Sequence, residues 1–216
     1  MNQVPALLRQ TVERDLRPVR PLRPAWVRAL ALLPLAALAL VEPVFRYSLR
    51  RDVGFSLSWG LSALEVAAGI LLVAVGLKNA VPGQESSRRS VRLIAAGVML
   101  VVAVSVLTDV ISATKVPPGE LGFFNTWCFE QSALLGIPAV GLAALLAGRA
   151  LPIHPALVGA LYGMGGGLFA DAGWRMFCDV SEPAHVLIAH GGAVLALTVA
   201  GAGMSVLIER HRRNPK

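Results

Sequence analysis

Apolar residues run almost unbroken through six stretches of this chain, about Trp26–Phe45, Phe55–Leu77, Val91–Ala113, Cys128–Ala147, Pro155–Phe177 and Ala184–Ile208. A helix needs roughly 20 apolar residues to cross the hydrocarbon layer of a bilayer, and each stretch is close to that length. Runs such as Leu93–Leu107 lack the alternation of a membrane strand, so helices rather than a barrel are predicted. The expected fold is an all-α membrane protein, a bundle of six transmembrane helices. Tight links at Arg149–His154 and Asp179–Pro183 make spans four and five, and five and six, antiparallel neighbours. Asn79–Ser90 reads as a polar loop, and Thr114–Thr126 as a turn-rich connection broken by Pro117, Pro118 and Gly119.

Three regions follow: a basic, proline-rich tail over 1–25, the membrane domain over 26–208, and a short basic tail over 209–216. In the first, Val4, Leu7, Leu8, Val12 and Leu16 recur at near-helical spacing, with charged residues elsewhere on the wheel. Pro18, Pro21 and Pro24 then stop any helix and favour an extended, polyproline-like arm. An amphipathic partner-binding helix and a basic membrane-surface anchor both fit this pattern. The first apolar run lacks a small-residue cleavage site and is long enough to stay as an anchor.

Composition sharpens the picture. Of 216 residues, 55% are hydrophobic and only 15% charged, where a soluble domain carries roughly a quarter charged. With the N-terminus inside, the inner segments hold fifteen lysines and arginines against five outside (Arg46, Arg50, Arg51, Lys115 and Arg175), so both termini are expected in the cytoplasm. That bias, with attraction to anionic lipid, accounts for the net charge of +7. No module that would present a basic surface to nucleic acid is visible, so no direct nucleic-acid contact is expected. Nucleotide-binding loops, HExxH helices and GxSxG elbows are absent from the sequence, and no catalytic residue or enzyme activity is expected.

Few residues remain that could carry chemistry. Cys128 and Cys178 are the only cysteines, both placed at the outer face. A structural disulfide, a reversible redox switch and two separate buried thiols are all open readings. Glu130, Asp179, His185 and His190 gather in the same layer. Cys128, Cys178, His185 and His190 could together take a soft metal such as zinc or cadmium, although wet interfacial groups would look the same. No resident cofactor is expected beyond such a transient heavy-metal ion. Asp109 and Asp171 lie near the outer ends of spans three and five, and Glu65 near the midplane of span two. A carboxylate at that depth must pair, face the bundle interior or stay protonated. A small transporter or channel built on it is the alternative reading.

Small residues concentrate at Gly159–Gly173 and Gly191–Gly203, which favours close helix approach. Trp26 at one interface, and Trp59, Trp127 and Trp174 at the other, read as an aromatic belt.

The run from Asp15 through Leu16, Arg17, Pro18, Val19, Arg20, Pro21, Leu22 and Arg23 to Pro24, leading into Trp26–Leu30, resembles the NrsF-like membrane anti-sigma factor family. So do Trp127-Cys128-Phe129, the segment Cys178–Pro183, and His190-Gly191. The resemblance spans essentially the whole chain. It implies a negative regulator at the bacterial inner membrane that holds an extracytoplasmic-function sigma factor away from polymerase. Leu8 and Val12 supply apolar anchors, while Asp15, Leu16, Arg17, Pro18, Val19, Arg20, Leu22 and Pro24 would contact the sigma factor or shape the tail. Cys128 and Cys178 would be the sensor of oxidants or heavy metals. The oligomeric state is not implied.

Overall fold

A computed structural model describes residues 10, 21–47, 49–50, 54–84, 86, 88–111, 121–148, 150, 152–178, 180 and 182–213. The tail residues Leu8, Val12, Asp15, Leu16, Arg17, Pro18, Val19 and Arg20 lie outside them, as do Asp179 and the side chain of Asp109. The described residues are helical, without strands. The elements are α1 (Ala25–Leu30), α2 (Leu33–Arg46), α3 (Phe55–Asn79), α4 (Arg88–Ile111), α5 (Leu121–Leu146), α6 (Pro155–Trp174) and α7 (Pro183–Arg213).

Four helical stretches among the described residues are long and apolar enough to cross a membrane: Ala25–Pro43, Ser56–Asn79, Gly122–Leu146 and Pro183–Arg213. In α4 the apolar stretch is the shorter Ile94–Thr108. The first expected span is broken at Ala31 and Leu32, whose amides turn back to Arg28 and Ala29. Pro34 explains the break, because it offers no amide to Leu30 and its ring crowds that carbonyl. The fourth expected span, α5, starts at Leu121 rather than Cys128, so the expected connection over Thr114–Thr126 gives way to helix in its last part.

Among the described elements, α6 is the hub. Most of its side chains are buried against other helices. Each glycine faces a particular neighbour. A Cβ on Gly159 would meet the Gly201 carbonyl of α7, one on Gly163 the Leu197 carbonyl, and one on Gly167 the Val194 backbone. Gly165 lies against Gly69 of α3, Gly166 against Gly136 of α5, and Gly173 against the Ala39 carbonyl of α2. The falling partner numbers in α7 as α6 rises make the pair antiparallel. Helices without a hydrophobic drive toward one another in lipid gain their contact from such close backbone approach. Gly163→Val should therefore destabilise by at least the roughly 1–3 kcal/mol of an overpacked core. Thermal unfolding of the purified protein in detergent checks this; an unchanged Tm would mean the α6–α7 contact is loose.

Candidate functional site

At the end of the bundle where α5 begins, two sulfurs meet. Cys128 sits about two turns inside α5, and is 1% exposed. Cys178 follows α6, held by turns in which the Phe177 and Cys178 amides both donate to the Trp174 carbonyl. The Arg50 amide pins the same loop by donating to the Met176 carbonyl. The two Sγ atoms lie 3.7 Å apart and carry no disulfide.

His185 completes the group. Its Nδ1 donates to Asn125 Oδ1 at 2.8 Å, which leaves Nε2 as the acceptor facing Cys178 Sγ at 3.2 Å. The hydrogen bond with Cys128, reinforced by burial, pushes the Cys178 thiol up above its ordinary range. The three donor atoms all lie within 4.8 Å of one another. Tetrahedral zinc with Zn–S bonds near 2.3 Å would hold two sulfurs about 3.8 Å apart. The observed separation is close to that, and the Asn125 contact is the outer-shell bond that fixes a ligating imidazole. A disulfide needs the sulfurs at about 2.0 Å, so oxidation must bring the two Sγ atoms closer than they stand.

The site depends on an irregular helix. After one turn at Pro183–His185, α7 continues as a π-helix over Val186–Gly191 before becoming α-helical at Gly192. In an α-helix, residues five apart point about 140° away from each other. The i→i+5 pattern instead stacks them, and the His185 and His190 rings meet edge to face with centroids 5.4 Å apart. His190 turns its Nδ1 to Asp171 Oδ1 at 2.7 Å. The donors that converge are those of Cys128, Cys178 and His185, and His190 is not among them. Glu130 is exposed and is not among these donors.

Aromatic rings wall the thiols. Tyr47, Trp127 and Trp174 pack edge to face, with centroids 5.1 to 5.5 Å apart. Trp174 is 2% exposed, so the belt reading fails for it: it packs with Cys128 and Cys178 instead of meeting lipid headgroups. A cavity of about 210 Å³ lined by these rings and both cysteines supplies room for a small reagent.

Deeper in the bundle, Arg175 is not the surface charge that the orientation count assumed. Its Nη1 lies 2.6 Å from Glu65 Oε1, with both side chains at least 95% buried, and its Nη2 donates to the Ser105 carbonyl at 2.9 Å. The Glu65 carboxylate is thereby paired across three helices.

At the opposite end, Arg28 is also buried rather than merely solvated, at 8% exposed. Its guanidinium donates to the carbonyls of Arg23, Leu146 and Leu77, each at 3.1 Å. The last two belong to the final turns of α5 and α3, where carbonyls lack intrahelical partners and the helix dipole favours a cation. Arg212 of α7 does the same for Gly148 and Ala150, at 2.8 and 3.2 Å. Leu22 and Pro24, the described part of the tail, lead directly into this collar, with Pro24 capping α1.

Sequence reasoning did not find Arg28, Asn125, Trp174 or Arg175 as site residues. An arginine two residues inside an apolar run was the available signal for Arg28, since charge at that depth demands partners. Asn125 and Arg175 had none, because their value lies in what distant segments bring beside them. Among comparisons with known proteins, the family model described as NrsF, negative regulator of sigma F, matches residues 13–210. No curated protein and no solved structure matches the chain.

Proposed function

Because the chain belongs to the NrsF family of negative regulators of sigma F, we propose that it sequesters an extracytoplasmic-function sigma factor at the bacterial inner membrane and releases it on a thiol-directed signal. The arginine end, with both termini, faces the cytoplasm, and the thiol end faces the periplasm. Residues 1–24 carry the sigma-binding arm, with Arg28 rooting it on the bundle.

The observation that carries this reading is the convergence of Cys128, Cys178 and His185 on elements that also reach the arginine end. α5 holds Cys128 near one end and the Leu146 carbonyl at the other, about 27 Å away along the helix. α7 likewise runs from His185 to Arg212. Oxidation joins the two sulfurs, with two protons and two electrons passing to the oxidant. A soft cation instead takes both sulfurs, displacing their protons, together with the His185 Nε2 lone pair. Either event draws α5 toward the start of α7, and a shift of α5 against α3 splits the bonds made by Arg28. Release of a held partner needs a bias of a few kcal/mol, a scale both chemistries reach.

Replacing Cys128 and Cys178 with serine should abolish induction of the sigma regulon by diamide and by cadmium while leaving basal repression in place. Full induction in that variant would sink the sensor assignment. An impermeant maleimide, applied to intact cells after reduction, should label the wild-type cysteines; labelling only after lysis would invert the topology. The transporter alternative draws no support from Glu65, which is engaged with Arg175.

A further inference from the structure

Between α4, α6 and α7, beside the π-helix, lies a second cavity, of about 250 Å³. Its walls are apolar, from Met99, Val102, Met164, Leu168 and Leu195 among others, and its floor carries Glu65, Ser105, Asp171 and His190. Each carboxylate on the floor already has a partner, the Arg175 guanidinium for Glu65 and the His190 ring for Asp171. Ser105 differs. The residue is 3% exposed and its hydroxyl is buried with no hydrogen-bond partner among the described residues. A buried hydroxyl left unpaired costs free energy that an occupant's oxygen would recover.

We propose that this cavity binds a neutral, bilayer-soluble molecule with a hydrogen-bonding oxygen on a compact aromatic ring, of the phenol or quinone class, whose oxygen pairs with the Ser105 hydroxyl. With Glu65 engaged by Arg175 and Asp171 by His190, the floor offers neither an anionic nor a cationic head a ready counter-charge. The volume sits just below the roughly 300–1,000 Å³ of drug-sized sites, which suits one ring with a short tail. Two methionines in the lining offer adaptable thioethers to an aromatic face. Because Val186, His190 and Gly191 of the π-helix form one wall, an occupant rests on the segment that also presents His185 to the cysteines.

The test uses the full-length protein in detergent and measures its thermal stabilisation by para-heptylphenol, heptylbenzene and octanoate. The phenol should bind saturably and up to about tenfold more tightly than heptylbenzene, the scale of one net hydrogen bond. Ser105→Ala should erase that difference, and Leu195→Trp, a change at a residue 64% exposed, should fill the cavity and weaken both ring compounds without disturbing the core. Equal affinity for phenol and heptylbenzene, octanoate binding as well as the phenol, or a phenol preference that survives Ser105→Ala would each overturn the proposal. The first two would mark the cavity as a groove for lipid chains.

Discussion

Arg175→Leu should destabilise the protein by about 3–5 kcal/mol, because it strands the Glu65 carboxylate in a dry interior. The pair lies 2.6 Å apart and essentially without solvent, so water cannot compensate for the lost guanidinium. Arg175 also donates to the Ser105 carbonyl, a bond that would be lost with it. Replacing both residues, Glu65→Leu with Arg175→Leu, should recover most of the loss, since apolar groups of similar volume often replace a buried ion pair at little cost. Thermal unfolding of the single and double variants in detergent measures the coupling. Additive losses would show that the two side chains do not act as a pair. A double variant that folds and still represses the sigma regulon would remove Glu65 from any obligatory ion path.

Arg28→Ala should separate the arm from the bundle and raise uninduced sigma activity toward that of a deletion strain. The guanidinium holds three carbonyls from three segments, and hydrogen bonds to a charged donor net about 1.5–3 kcal/mol each. Their loss leaves the last carbonyls of α3 and α5 without the cation that complements both helix ends. Arg28→Lys should rescue poorly, because an ammonium on a single stem cannot reach three separated acceptors as a planar fork does. A reporter for the sigma regulon, read beside membrane-fraction levels of each variant, distinguishes released repression from lost protein. Normal repression by a well-expressed Arg28→Ala variant would show that the collar does not root the arm.

These two arginines show what a linear pattern hides. In the orientation count both were charges on loops or at interfaces, and by composition that was reasonable. Their burial comes from groups 49 and 110 residues away. The glycine stripes were legible as close-packing faces, but which helix meets each glycine was not. Gly163, Gly165 and Gly166 are near neighbours in the chain and face α7, α3 and α5 respectively. The two histidines show a different limit. A spacing of five is out of phase on an α-helix, and only the π-helical turn makes it a shared face.

Helix formation, long apolar spans and the family motifs were determined by the amino-acid sequence alone, because each depends on local composition or on transfer between water and lipid. The bundle decided which buried groups meet: Cys128 with Cys178 and His185, Glu65 with Arg175, Arg28 with two helix ends. The physical reason is angular. A side chain's partners depend on the rotation and phase of whole helices against one another, and those are settled by packing across the chain.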